Sequence, residues 1–327
     1  MHTRFTELVG CAVPVQQAPM GMVSGPALAA AAVSAGAMGS VGLTGFPVAA
    51  IEQYLDAVNA MTQGPIGGNF VLPFLEDRAA ITACAERSRV VDLYHAWPDA
   101  TLVDLAHDAG ALVCWQVGAV DEARAAVDCG ADFLAVRGTE GGGRMHGGRA
   151  LWPLLCDVLD AVAGDVPVLA AGGIGTGRGM AAALAAGADG VRIGTVLVAT
   201  VESAAHPIYK DALIAAAATD SVLTFDFSTG WPGGPHNARV LRSCIEAANR
   251  LGSDVVGKAP MGGSMESVAR FAPSPPTTDF EGHIDAMALY AGESVAFVHR
   301  VEPAATVINR IVGDATTLLA RASESSA

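Results

Sequence analysis

The sequence predicts an α/β fold, a (β/α)8 TIM barrel with a smaller, mostly helical insertion after the eighth strand. Short apolar segments alternate with helical segments along the first 200 residues, which is typical of parallel strands with helices outside. The length of 327 residues suits one barrel of roughly 250 residues with additions. The last two strands end at Gly172-Gly173 and at Gly194, a pattern typical of barrels that bind phosphate after these strands.

The candidate strands are short runs rich in Val, Leu, Ile and Ala, as expected of strands buried on both faces. We predict eight of them, at residues 13–17, 38–41, 66–70, 90–94, 112–116, 133–136, 168–171 and 190–193. Helices are predicted between them at residues 27–35, 49–61, 78–87, 99–109, 120–129, 152–162 and 177–186. Eight repeats favour a closed barrel, because an open doubly wound sheet usually has about five or six strands.

The pattern changes after the eighth strand. Further helices are predicted at residues 202–218, 240–250, 284–293 and 303–321, separated by Gly- and Pro-rich stretches at 223–238 and 259–279. We therefore divide the chain into a barrel of residues 1–199 and 283–322 and an insertion of residues 200–282 that covers the barrel mouth.

Composition limits the possible partners. The chain is 51% hydrophobic, and its formal net charge of −14 disfavours nucleic acid and anionic membranes. A small anionic substrate remains compatible with this charge, because its site is set locally. The six cysteines are dispersed and form no C-x-x-C pair, so we predict no metal site and no disulfide framework. With no apolar signal segment at the start, we expect a cytoplasmic enzyme; a homodimer is compatible with the sequence, which does not set the oligomeric state.

Seven motifs, in this order and spacing, resemble the nitronate monooxygenase family, whose members are FMN enzymes on a TIM barrel. They are QAPM at 17–20, GGNF at 67–70, GTEGGG at 138–143, AGGI at 171–174, RIGT at 192–195, AHPIYK at 205–210 and YAGES at 290–294. Each motif alone is weak, whereas their order across the chain is specific.

The resemblance implies an FMN lying across the strand ends. The residues that it places along the ring system are Met20, Gly21, Asn69, Arg137 and Gly142. Those that it places at the phosphate are Gly173, Arg192, Ile193, Gly194, Thr195, Tyr290, Gly292 and Ser294. Structural alternatives stay open for several of them: Asn69 could cap a turn, Met20 could fill the core, and Arg192 could face the helix layer.

One departure from the family pattern bears on the chemistry. Family members place a histidine directly after the glycines of the strand-six loop, as the general base that removes the α-proton of a nitroalkane. In this chain Arg144 occupies the position of that histidine, and the next histidine is His146. Arg137 stands where family members have a glutamine before the loop. Arginine stays protonated at neutral pH, but it binds anions through several donors. We therefore predict Arg144 and His146 as the catalytic pair; the alternative for His146 is a solvated loop residue.

These residues favour FMN-dependent oxidation, with O2, of a nitronate or a related anionic, carbanion-like small substrate. A nitronate has already lost its α-proton, so we expect it to be a better substrate than the neutral nitroalkane. Two alternatives remain: an NAD(P)H-dependent FMN reductase acting on quinones or enoyl thioesters, and a flavin-free lyase or isomerase acting on a phosphorylated metabolite. The sequence does not choose the substrate.

Overall fold

The computed structural model describes residues 1–261 and 264–324. Its strands, in chain order, are β1 (Val15–Gln17), β2 (Gly39–Gly42), β3 (Ile66–Val71), β4 (Val90–Tyr94), β5 (Leu112–Val117), β6 (Phe133–Arg137), β7 (Gly143–Arg144), β8 (Val168–Ala171), β9 (Gly190–Ile193), β10 (Ser221–Thr224), β11 (Ala238–Leu241), β12 (Val255–Met261), β13 (Ser264–Ala269) and β14 (Glu281–Gly282). Eight of them form a parallel sheet in the order β1-β9-β8-β6-β5-β4-β3-β2. A bridge between Gln16 and Met38 joins the first strand to the last, so the sheet closes into the predicted TIM barrel.

Helices surround the barrel because its strands are buried on both faces and need apolar cover. The helices are α1 (Arg4–Val9), α2 (Pro26–Ser34), α3 (Val48–Met61), α4 (Ala79–Ala85), α5 (Ala100–Asp108), α6 (Val120–Asp128), α7 (Leu151–Val162), α8 (Gly177–Ala185), α9 (Thr195–Val198), α10 (Pro207–Ala215), α11 (Arg242–Arg250) and α12 (Ala304–Glu324). The barrel strands β4, β8 and β9 match their predicted bounds, and the other five lie within about two residues of them. The apolar runs were therefore a sound guide to the barrel.

The short helix α1, which the sequence analysis did not predict, closes the amino-terminal end of the barrel. Phe5 packs edge-on against Phe133 with ring centroids 5.3 Å apart, and Arg4 forms an ion pair of 2.8 Å with Asp189. The Thr3 side chain accepts a hydrogen bond from the Thr6 amide and begins the helix. With this end plugged, the opposite end, where the strands finish, is the one that is open to a ligand.

The insertion is not mostly helical, which corrects the prediction. It holds α10 and α11, but also the strands β10 to β14 in two small antiparallel groups. One group, in the order β10-β11-β7, pairs the insertion with the loop that follows β6. The pairing of Ala238 with Arg144 joins segments that are far apart in the chain, so no local periodicity could reveal it. The division at residues 200 and 282 stays a proposal.

Two predicted helices are also corrected. The helix expected at 202–218 begins only at Pro207, where proline suits the first helical position and His206 Nδ1 accepts a hydrogen bond from Ile208 N. The helix expected at 284–293 is instead two short 3-10 turns, Ile284–Ala286 and Glu293–Phe297. Between these turns the chain is extended, because its backbone pairs with β11: Leu241 N donates to the Leu289 carbonyl at 2.9 Å.

Candidate active site

Glycines crowd the carboxyl ends of β6, β8 and β9 and the segment that contains Gly292. Gly172 and Gly173 have φ values of +111° and +69°, a region that other residues rarely adopt. A Cβ added to Gly142 would lie 2.5 Å from the Gly292 amide nitrogen, and that amide donates to Thr195 Oγ1 at 3.0 Å. The fold therefore brings Gly142, Thr195 and Gly292 together from three distant parts of the chain.

The neighbouring predicted residues also lie at this end of the barrel. A Cβ on Gly194 would lie 3.5 Å from Met20 Sδ, and Gly21, with φ +57°, packs its backbone against Gly42. Ile193 is different, because the residue is 1% exposed in the apolar core and its carbonyl accepts a hydrogen bond from Ala18 N at 2.8 Å. Near the C-terminal segment, Ser294 is buried beside Gly175.

Tyr290 faces the insertion rather than the glycine-rich end. Its hydroxyl donates to the Pro273 carbonyl at 2.8 Å. Burial raises the pKa of Tyr290 to about 12, and the nearby Arg144 charge opposes that shift. The Tyr290 side chain therefore lies on the side of the barrel mouth that holds Arg144. This position differs from the phosphate contact that we predicted for Tyr290.

Arg192 points into the barrel, which corrects its assignment to the phosphate. It is the third residue of β9, and alternation along the strand turns its side chain inward. Its guanidinium pairs with Asp92 and donates to Gln16 Oε1 at 2.9 Å and to Gln116 Oε1 at 2.8 Å. The side-chain amide of Asn69 belongs to the same network, since it donates to Asp92 Oδ1 at 3.0 Å. The charge of Arg192 is therefore compensated inside the barrel.

The side chain of Arg137 forms hydrogen bonds with the backbone of the loop after β6. Its guanidinium donates to the carbonyls of Gly141, Gly142 and Arg144, and to the Tyr94 hydroxyl at 2.8 Å. These donors are engaged by protein groups, so the structure gives Arg137 a loop-holding role in place of the expected contact with the cofactor.

Two buried donors of Arg144, Nε and Nη2, are left without a well-formed hydrogen bond. Its Nη1 donates to Ser228 Oγ at 2.9 Å and to the His236 carbonyl at 3.0 Å, and its guanidinium carbon lies 4.4 Å from the Trp231 ring centroid. The residue is 8% exposed. Within the described ranges, Nε and Nη2 make no hydrogen bond of good geometry, although the Tyr290 hydroxyl also interacts with the Arg144 side chain, which lowers the tyrosine's pKa. A buried guanidinium with free donors is costly unless an anion binds it.

The ring of His146, 36% exposed, lies against a buried carboxylate. Its Nδ1 lies 2.9 Å from Oε1 of Glu122, whose side chain is 2% exposed. The two atoms are at ion-pair distance but lack the angles of a good hydrogen bond. The contact with Glu122 raises the pKa of His146 above its ordinary value, and burial opposes that shift.

The structure adds rings to this side of the mouth that the sequence analysis missed. His95 lies with ring centroids 5.1 Å from His146, 4.9 Å from His236 and 5.1 Å from Trp231. Burial, and then the two neighbouring histidines, lower the pKa of His95 to about 4, so it is neutral at physiological pH. His95 has φ +73°, an uncommon conformation for a residue with a side chain.

One of these residues carried a usable signal in the sequence. His95 directly follows β4, at the barrel end where catalytic side chains stand. Trp231 and His236 lie in a Gly- and Pro-rich stretch with no periodicity, and Glu122 looks like an ordinary first-turn acid of α6. Only the folded loops bring these three to the mouth.

Among the described residues, no helix has the length and apolar character needed to cross a bilayer. Within the same residues, no group of three or more His, Cys, Asp or Glu side chains is arranged to hold a metal ion.

Comparisons with known proteins identify the family of this chain. A family model described as nitronate monooxygenase matches residues 2–80 and 75–314. The chain is 35% identical over 260 residues to a Mycobacterium tuberculosis protein named (3aS,4S,5R,7aS)-5-hydroxy-7a-methyl-1-oxo-octahydro-1H-indene-4-carboxyl-CoA dehydrogenase, covering 79% of this chain and 71% of that protein. It is 31% identical over 273 residues to a nitronate monooxygenase of Pseudomonas aeruginosa, covering 70% and 78%.

A solved structure extends the likeness to the whole chain. A nitroalkane oxidase from Streptomyces ansochromogenes superposes with a TM-score of 0.76 at 26% identity, covering 99% of this chain and 100% of that one. The flavin-free lyase or isomerase is set aside by these matches, since the relatives are oxidoreductases. The chain belongs to the nitronate monooxygenase family and is a flavin-dependent oxidoreductase.

Proposed function

We propose that this protein uses FMN and O2 to oxidise a nitronate or a related anionic, carbanion-like small substrate. The observation that carries the proposal is Arg144, a buried guanidinium whose Nε and Nη2 make no hydrogen bond of good geometry in the described part of the chain. A planar anion with two oxygens matches these donors, because guanidinium binds such groups through parallel hydrogen bonds. The low exposure of the site strengthens the attraction.

The glycine-rich end of the mouth fits an FMN. A phosphate is suited to the backbone at Gly173 and Gly194 and to the hydroxyls of Thr195 and Ser294, because amides and hydroxyls bind anions without adding bulk. Side chains at Gly142 and Gly292 would collide with backbone at 2.5 to 2.8 Å, so this cradle depends on glycine. We assign the ring system to Met20, Gly21, Asn69 and Gly142. When bound, FMN supplies the two-electron acceptor.

Arg144 and His146 divide the work on the substrate. Arg144 is held by Ser228, His236 and the face of Trp231, which leaves its free donors to bind the anion. His146 is the proton-transfer group, because its ring is paired at Nδ1 and its Nε2 remains available. A preformed nitronate needs no proton removal, so we expect it to react faster than its neutral parent.

The proposal is tested by anaerobic reduction of the bound flavin with ethyl nitronate. We expect the nitronate to bleach the flavin of the wild-type enzyme. Arg144→Gln should lower kcat/KM by roughly 10- to 100-fold, since a hydrogen bond to a charged group contributes about 1.5–3 kcal/mol. The control is Arg149→Gln, which removes a half-exposed arginine paired with Asp157. An Arg144→Gln enzyme as active as this control would contradict the proposal.

A second candidate is chemistry on a thioester, because the M. tuberculosis relative is named a carboxyl-CoA dehydrogenase. The enolate of a thioester is also a carbanion-like anion that Arg144 could bind. The same anaerobic assay separates the candidates when ethyl nitronate, an acyl-CoA, NADH and NADPH are compared side by side. Bleaching by the acyl-CoA alone would favour the dehydrogenase, and bleaching by NADH or NADPH would favour an FMN reductase.

A further inference from the structure

We infer that Glu122 is a positioning residue that holds His146 as a base, so that the enzyme can form the reacting anion from its neutral carbon acid. The inference rests on the proposed function and deepens it, because it names the residue that orients the proton-transfer group His146. Nothing in the family motifs of this chain points to Glu122.

The carboxylate of Glu122 is buried and directed. It lies in the first turn of α6, and its side chain is 2% exposed. Oε2 accepts a hydrogen bond from Gly118 N at 2.7 Å, and Oε1 lies 2.9 Å from His146 Nδ1. A buried carboxylate needs such partners, because an unpaired charge in the interior is costly. The two oxygens therefore link the turn after β5 to the imidazole.

Backbone packing brings the two loops together. A Cβ on Gly118 would lie 1.6 Å from the His146 carbonyl oxygen, and a Cβ on Gly147 would lie 2.6 Å from the Gly118 carbonyl oxygen. Gly147 also has φ +135°. This approach is open only to glycine at both positions. The pairing of Glu122 with His146 is thus set by the main chain and not by a freely moving side chain.

The other groups around the His146 ring do not replace this carboxylate. Tyr94 and His95 approach from the end of β4, with ring centroids at 6.3 Å and 5.1 Å. His95 is neutral at physiological pH, and burial raises the pKa of Tyr94, so both are uncharged there. Arg137 is cationic and bonds the Tyr94 hydroxyl, and Arg144 stands in the same loop as His146.

Proton transfer from the substrate to His146 uses only these groups. The α-carbon of the substrate loses its proton to Nε2 of His146, so the C–H bond breaks and an N–H bond forms. The electron pair stays on the substrate and spreads onto the oxygens that Arg144 binds. The imidazolium that results is compensated by Glu122, as a buried carboxylate supports histidine in other acid–base pairs.

The test uses Glu122→Gln in the flavin-loaded enzyme, with nitroethane and ethyl nitronate as substrates. We expect kcat/KM for nitroethane to fall by roughly 10- to 100-fold, within the range that general base catalysis contributes. The rate for ethyl nitronate should stay within about twofold, because this substrate needs no base. Glu122→Asp should recover part of the nitroethane rate. The matched control is Asp121→Asn, an adjacent acid whose side chain is 86% exposed.

A second measurement does not depend on turnover. Titration of the His146 ring by NMR should give a lower pKa in Glu122→Gln than in the wild type and in Asp121→Asn. An unshifted titration would overturn the inference, and so would equal losses with nitroethane and nitronate. If the wild type leaves nitronate unoxidised while the titration still shifts, the proposed function fails and the pairing of Glu122 with His146 stands.

Discussion

Inside the barrel, the guanidinium of Arg192 forms an ion pair with the carboxylate of Asp92, and the two side chains are 3% and 0% exposed. Gln16 and Asn69 donate to the same carboxylate at 3.1 Å and 3.0 Å. The barrel beneath the candidate site is thus partly polar, with each charge matched. Such a network is stable only while it is complete, because a lone charge at this depth has no solvent to replace its partner.

Replacing Asp92 by Asn should therefore destabilise the fold strongly. The variant leaves the Arg192 charge buried without its counter-charge, and we expect the free energy of unfolding to fall by about 3–5 kcal/mol. Urea unfolding followed by circular dichroism measures it. Asp157→Asn removes a carboxylate from a half-exposed pair with Arg149 and should cost no more than about 1 kcal/mol. A loss for Asp92→Asn as small as this one would contradict the reasoning.

Gly142→Ala should disturb the glycine-rich end of the mouth. The new Cβ would meet the Gly292 nitrogen at 2.5 Å and the Ala291 carbonyl carbon at 2.8 Å, and these backbone atoms cannot turn away. We expect a loss of stability of about 1–3 kcal/mol and a lower ratio of flavin to protein after purification. Gly148→Ala is the control, because an added Cβ there meets nothing within 4 Å. Equal flavin content in the two variants would argue against the cradle.

His95 should make the fold less stable in mild acid. Its pKa is about 4 in the folded protein against an ordinary 6.5, so the unfolded chain binds the proton first as pH falls below 6.5. The stability that neutral His95 contributes is present above pH 6.5 and is lost progressively toward pH 4. Asn cannot titrate and tolerates positive φ, so His95→Asn preserves the backbone.

The measurement compares unfolding at pH 7.5 and pH 5.0. Between these pH values the free energy of unfolding of the wild type should fall by about 1–2 kcal/mol more than that of His95→Asn. This figure is lower than the full pKa difference implies, because solvent at the barrel mouth screens part of the effect. The comparison isolates His95, because the two proteins are otherwise identical in sequence. Identical pH dependence in the two proteins would show that His95 is not held neutral by its surroundings.

Trp231 should matter for binding of the anion more than for the rate of turnover. Its ring lies 4.4 Å from the Arg144 guanidinium carbon and is packed edge-on by Phe74 at 4.9 Å. Loss of the ring in Trp231→Leu removes a cation–π contact of about 0.5–2 kcal/mol and lets Arg144 move, so KM for an anionic substrate should rise roughly 3- to 30-fold. Trp152→Leu, at a 42% exposed ring, is the control. A change in kcat with KM unaltered would contradict this role.

The barrel strands were predicted well from the sequence, because strands of a parallel sheet are buried on both faces and are recognisable as short apolar runs. The run at residues 168–171 is apolar throughout, and that at 90–94 is apolar except for Asp92, as is typical of strands covered on both faces. The glycines at 142 and 292 were predicted from the family motifs, and the structure shows the close backbone approach that requires glycine at both positions. Arg192 was the opposite case. Its place on a strand was correct, but the strand pattern does not say whether an arginine meets a phosphate or an aspartate across the barrel.

The sequence by itself determined the barrel and the family and pointed to the loop of the proposed site, because each of these leaves a pattern within a few neighbouring residues. Only the tertiary structure decided what surrounds Arg144 and His146. Glu122, His95 and Trp231 come from separate connections, and they meet because β11 pairs with β7 and because Gly118 touches Gly147. Such contacts depend on how distant segments pack in space, and packing between distant segments has no period along the chain.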